Sequence, residues 1–107
     1  DRAKDMLKVG AENVAASEIE SVIAGVPGVG EAAIVGRPHP MLDEVPVAFI
    51  RAAAPSDALA AAIIEACRQN LSDFKVPVDV IFMDEFPRAE LNKVAKKELR
   101  EIAKARA

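Results

Sequence analysis

The sequence predicts an α+β fold: a small mixed sheet of about three strands packed with three helices, preceded by a short N-terminal hairpin. Three observations lead there. A length of 107 residues suits one compact domain that can bury a core without metal or disulfide staples. Half the residues are apolar and 29% are charged, an ordinary globular balance far from the disordered corner of composition. Helical and strand-like patterns then alternate along the chain in irregular order, with no internal repeat, which favours α+β over a regular βαβ array.

The elements follow in order. Gly10-Ala11-Glu12-Asn13 supplies a glycine and an asparagine for a tight turn between two short strands, the expected hairpin. Ser17 and Glu20 form an S-x-x-E capping box ahead of Ile19, Val22 and Ile23, so a first helix is expected there, stopped by Gly25 and Pro27. Glu31 to Gly36 reads as a strand centred on Ile34 and Val35, closed by Pro38 and Pro40. Val45 to Arg51 reads as a second strand, with Pro46 tolerable only near its start or on an edge. Ser56 caps a helix whose Leu59, Ile63 and Cys67 recur every four residues, with Leu71 one turn further. The alternating run Val78 to Met83, after Pro77, gives a third strand. Asn92 is expected to cap a last helix reaching about Lys104, with Ala95, Leu99 and Ile102 inward.

Charge and cysteine usage exclude several classes. A formal net charge of −3 argues against a generic nucleic-acid or anionic-membrane binder, which gains from a basic surplus. The single Cys67 permits no internal disulfide and fits a cytoplasmic setting. No apolar run approaches the roughly 18 residues of a spanning helix. The chain opens without methionine on Asp1-Arg2-Ala3-Lys4-Asp5, as an excised domain would. His39, the lone histidine, has no cysteine, second histidine or nearby serine with which to build a zinc site or a triad, and no metal site is expected. No Walker A run, G-x-G-x-x-G or G-x-S-x-G occurs, so a complete enzyme is not expected.

Lys93 is the most informative polar residue. At the first turn of the expected last helix a cation opposes the helix dipole, a conflict that disappears if lysine and helix start receive the same phosphate or carboxylate. A solvated surface lysine is the plainer reading. Lys93, Lys97, Arg100 and Lys104 would share one helix face, but Glu98 and Glu101 interrupt it, so a solvated face outweighs a nucleic-acid surface.

Two segments carry a resemblance. Asp1 to Val14, followed by Glu18-Ile19-Glu20, is similar to the segment that opens the C-terminal domain of adenylate-forming enzymes. Pro87-Arg88, Asn92-Lys93-Val94 and Lys97-Glu98-Leu99-Arg100 resemble that family's closing motif. Val29 to Gly36, the loop through Pro40 and Glu44, and Phe74-Lys75-Val76-Pro77 follow the same pattern between them. The G-x-E-N run is closer to acyl-CoA synthetases than to peptide-synthetase adenylation domains.

The resemblance implies that residues 1–107 form the mobile lid of a two-step ligase whose large ATP- and acid-binding domain is its partner. A carboxylic acid and ATP would give acyl-adenylate and pyrophosphate, and CoA would then take the acyl group. Lys93 would be the catalytic lysine of adenylation. Residues 1–5 would form the hinge, with Lys4 as the pivot and Arg2 near the nucleotide. Gly10, Ala11, Glu12 and Asn13 would line the CoA tunnel. Ala11 departs from the family's frequent second glycine, and Asn92 replaces the usual glycine before the lysine. ATP with Mg2+ and CoA would serve the full-length enzyme, none being held by this domain alone, which is expected to be inactive. A stand-alone α+β module binding a phosphate ligand or a protein remains the alternative. A carrier-protein phosphopantetheine or oxygen, with Lys8 then involved, is a further variant of the acceptor.

Overall fold

The computed structural model of the chain describes residues 5–106. Its order is β1 (Met6–Val9), β2 (Glu12–Ala15), α1 (Ala16–Ala24), β3 (Val29–His39), β4 (Asp43–Ala52), α2 (Asp57–Asn70), β5 (Asp79–Phe82) and α3 (Lys96–Ala105), with short 3-10 turns at Asp73–Lys75 and Glu90–Asn92. The α+β class is as expected, and the hairpin joins the other strands in one five-stranded sheet. The order is β2-β1-β4-β3; β5 also pairs with β4. Only β4–β5 is parallel, so the sheet is mixed.

The long antiparallel β3–β4 ladder forms the backbone of the domain, and its residues alternate between two apolar layers. Ile34, Ala48 and Ile50 face α1 and α2, joining Ile19, Ile23, Ile63 and Cys67. Ala33, Val35, Val47 and Phe49 face the other way, towards Leu99 and Ala103 of α3 and Phe86. Burial on both faces is why Val45 to Ile50 reads as an unbroken apolar run rather than an alternating one.

Several boundaries differ from the sequence reading. β3 continues past Gly36 through Pro38 to His39, because β3 ends the strand order and a proline there removes no interior ladder bond. Pro46 lies within β4, fully buried. Its carbonyl accepts from Val78 N at 2.9 Å, so its missing N–H falls on that side, ahead of the first β4–β5 pair, and the β3 ladder is spared.

The Ser17–Glu20 capping box is not made. The helix starts two residues earlier, with Ala15 as N-cap and no side-chain cap, and Ala16 N donates instead to Asp5 O at 3.1 Å. Ser56, in contrast, caps α2 as expected, its Oγ accepting from Leu59 N at 3.0 Å. Asn92 does not cap the last helix, which begins at Lys96; Ala103 joins Leu99 as a fully buried contact of α3, while Ala95 and Ile102 are half-buried. Among the described residues no helix is long and apolar enough to cross a membrane.

Candidate functional site

Lys93 lies three residues ahead of α3, in extended backbone at φ −73 and ψ 145, not in the helix's first turn. The reason is a small closed loop. Arg88 and Val94 form an isolated antiparallel bridge; Ala89 N donates to Lys93 O at 2.7 Å and Ala95 N to Pro87 O at 2.8 Å. Chain tied back in this way cannot enter a helix before Ala95. Lys93 also leaves the expected basic row, which keeps Lys97, Arg100 and Lys104.

The loop is strained at its tip. Leu91 and Asn92 have φ values of 59 and 60, the left-handed region that costs a non-glycine residue about 1–2 kcal/mol. Asn92 thus serves the backbone conformation that asparagine tolerates, without acting as a cap. Leu91 is 90% exposed, so packing does not repay its conformation. The restraint comes from below: Arg88 grips Glu31 of β3 with two hydrogen bonds, Nη2 to Oε1 at 2.8 Å and Nη1 to Oε2 at 3.2 Å. Arg51 of β4 adds a third to the same carboxylate at 2.9 Å. The Arg88 hydrogen bonds, with the help of Arg51 and against partial burial, hold the Glu31 carboxyl below its ordinary value.

The exposed Lys93 borders a hollow of about 680 Å³ whose wall includes Lys96, Lys97, Arg100, Glu20 and Asp5. Lys96 is not a free cation. Its Nζ bonds Asp5, the last residue of the expected hinge, and Glu20 of α1 at 2.6 Å. Glu20 in turn accepts from Ile34 N at 2.9 Å, satisfying a donor on the outer edge of β3. That is where the carboxylate assigned to a capping box has gone. Lys93, Lys97 and Arg100 are left as the cations that could meet an anion.

The hairpin turn stands elsewhere. Val9 pairs with Glu12, leaving Gly10 and Ala11 as the two turn residues. Gly10 takes φ +63 and Ala11 is not among the left-handed residues, the arrangement of a two-residue turn with glycine in its first position. Alanine in place of a second glycine therefore strains nothing here. Gly10 N donates to Leu42 O at 2.7 Å, Val9 bridges Asp43, and Lys8 N donates to the Glu44 carboxylate at 2.9 Å, so the turn is bound to the β3–β4 loop. His39 shapes that loop by accepting from Met41 N and Leu42 N, both at 3.1 Å, a structural use. Glu12 borders a second, more apolar hollow of about 340 Å³ with Leu42, Phe74 and Val76; Ala11, Glu12 and Asn13 are exposed.

The residues expected from the sequence thus fall into two separate places, Lys93 at one and Gly10 to Asn13 at the other. Arg2 and Lys4 lie outside the described residues. Glu31, Arg51 and Lys96 were not anticipated, and Glu20 was expected only as part of a capping box. Their only signal is a carboxylate or cation set among apolar strand and helix residues, and it names no partner. Among the described residues no three His, Cys, Asp or Glu side chains are grouped to hold a metal.

A three-layer α+β domain with an exposed lysine on a braced loop between β5 and α3 can be compared with known proteins. The family model for the AMP-binding enzyme C-terminal domain matches residues 18–93, and the chain belongs to that family. It is 41% identical over 105 residues to the peroxisomal trans-cinnamate:CoA ligase of Petunia hybrida, covering 98% of this chain and 18% of that protein. It is 43% identical over 101 residues to the long-chain-fatty-acid–CoA ligase FadD13 of Mycobacterium tuberculosis, covering 94% and 20% respectively. Among solved structures it superposes on apo MatB from Rhodopseudomonas palustris with a TM-score of 0.87 at 37% identity, over 97% of this chain and 21% of that one. A fatty acyl CoA synthetase of Mycobacterium tuberculosis gives 0.85 at 42% identity, over 99% and 21%. The chain thus spans about a fifth of the length of the relatives it matches, corresponding to their C-terminal part.

Proposed function

We propose that this chain is the mobile C-terminal lid of an ATP-dependent acyl-CoA synthetase, completed by a large N-terminal domain that binds ATP and the carboxylic acid. The carrying observation is the placement of Lys93: in a member of this family, an exposed ammonium stands on a closed, braced loop beside a hollow lined by further cations. In the first half-reaction a carboxylate oxygen attacks the α-phosphorus of ATP and pyrophosphate leaves, so one polyanion is brought onto another. Lys93 would bridge the carboxylate and the α-phosphate and offset that charge. Preorganisation matters here because a braced loop already presents the lysine, so its backbone needs no rearrangement as charge develops.

In the second half-reaction the CoA thiol attacks the acyl carbonyl and AMP leaves. The Gly10–Asn13 turn would line the path of CoA, with residues 1–5 as the hinge, Lys4 as the pivot and Arg2 near the nucleotide. That the turn and the Lys93 loop border different hollows supports a rotation between steps, since each place would serve one of them. CoA is favoured as acceptor because the relatives are named CoA ligases. The Mg2+ that accompanies ATP finds no grouped set of ligands among the described residues. A cytoplasmic parent fits the buried, unpaired Cys67, whose thiol burial pushes up and away from the reactive thiolate.

The test is carboxylate-dependent ATP–pyrophosphate exchange in the full-length parent, comparing wild type with Lys93→Ala over a small panel of acids. Loss on the order of a hundredfold or more is expected, with CoA capture from supplied acyl-adenylate largely kept. Unchanged exchange would reduce Lys93 to a surface lysine. The chain alone should show no ligase activity, and carboxylate-dependent AMP formation by it would refute the lid reading.

A further inference from the structure

Taking Lys93 to act in adenylation, we propose that Glu31 is the positioning residue of that step, holding the Lys93 loop in register through Arg88. The inference rests on the function proposed above and adds a residue to it. Glu31 lies on the α3-facing side of β3, two residues before Ala33, at a point where the strand is bulged: Val29 pairs with Ala52 and Glu31 with Arg51, leaving Gly30 unpaired. A Cβ on Gly30 would lie a tight 3.1 Å from Arg51 O, so glycine suits the close approach at the bulge, and bulges re-aim the side chain beside them. The carboxylate so aimed takes three hydrogen bonds from two guanidiniums.

The two arginines differ in what they reach. Arg51 is also anchored to Asp84 O at 3.1 Å and Glu85 at 3.6 Å, which ties the carboxylate to the chain after β5. Arg88 is the first foot of the Lys93 loop, its partner in the bridge being Val94, one residue past Lys93. A planar guanidinium gripped at two points fixes direction as well as distance, which a single contact would not. With two left-handed residues at its tip, the loop has little tendency to hold this shape alone. Loss of the grip would leave the domain folded on its two apolar layers while the lysine wanders, and a misplacement of about 1 Å can cost on the order of a hundredfold in rate.

The experiment uses the full-length parent with Glu31→Gln, Arg88→Met and Lys93→Ala, and the double variant Glu31→Gln/Lys93→Ala. Exchange is measured against thioester formation from supplied acyl-adenylate. Glu31→Gln should lower the exchange kcat roughly tenfold to a hundredfold, with thioester formation within about twofold of wild type. Arg88→Met, which breaks the same grip from the other side, should give the same split. In the double variant Glu31→Gln should add nothing to Lys93→Ala, because it acts through that lysine. Equal losses in both half-reactions, or additive losses in the double variant, would reduce Glu31 to a structural residue and overturn the proposal. Exchange lost in Lys93→Ala but intact in Glu31→Gln and Arg88→Met overturns it alone, whereas exchange intact in Lys93→Ala overturns the proposed function with it.

Discussion

Two turns in this domain solve one backbone problem in opposite ways. At Gly10 the chain reverses through φ +63 and glycine meets no Cβ penalty, so the hairpin turn carries no backbone strain, although Gly10 N is also bonded to Leu42 O. At Leu91 and Asn92 the chain takes nearly the same φ, which asparagine tolerates but leucine resists, and the exposed leucine gains little in return. That loop is held instead by the Arg88–Val94 bridge and by Glu31 and Arg51, all from outside its tip. Strain of this kind gathers where a fold must hold a group in a set position. The comparison teaches that the relaxed turn owes its conformation to its own glycine, whereas the strained one owes it to its context.

The largest expected effect tests the support under the strained loop. Leu99, fully buried on α3, seats the helix that follows it, and Leu99→Ala should cost about 2–5 kcal/mol in urea unfolding. Next, the turns should respond with opposite signs. Gly10→Ala has room, its Cβ lying 3.7 Å from Leu42, yet should destabilise by about 1–2 kcal/mol for conformational reasons alone. Leu91→Gly relieves the same strain, and after glycine's added unfolded-state entropy should stabilise by about 0.5 kcal/mol. Matching signs would end the contrast.

A smaller pair separates cap from apparent cap. Ser56→Ala should cost about 1 kcal/mol, whereas Ser17→Ala, inside α1, should stay within about 0.5 kcal/mol. The smallest effect concerns pH. Glu31 has a lowered folded pKa, so its contribution is full above the ordinary value of 4.5 and lost as pH falls through the lower folded value. Stability followed from neutral to acid pH should therefore show a flatter decline in Glu31→Gln. A decline as steep as wild type would remove the carboxylate from the loop's support.

What the sequence made legible was local. The Gly10 turn, the Ser56 cap and the stripe of Ile63 and Cys67 depend on neighbours within a few residues, and each is present in the fold. The Ser17–Glu20 box was equally plausible in local terms, but Glu20 found Ile34 N and Lys96, which are distant in sequence. Pro38 was misjudged because edge or centre is a property of the sheet, invisible in one strand. The motif around Lys93 could be picked out by resemblance, yet its helical setting was wrong, since the Arg88–Val94 bridge delays α3. Glu31 and Arg88 are 57 residues apart, and no short-range pattern joins them.

The β3–β4 ladder has one more consequence. At its Glu44 end it holds the hairpin, and at its Arg51 end it holds the carboxylate beneath the lysine loop. The strand between those residues, at roughly 3.3 Å per residue, is about 23 Å long and clamped on both faces by apolar layers. It works as a gauge block: under the proposed rotation the two ends would keep their spacing. A partner pocket that admitted one end would therefore leave the other about a strand's length outside, which is how a fixed length would separate the two proposed half-reactions.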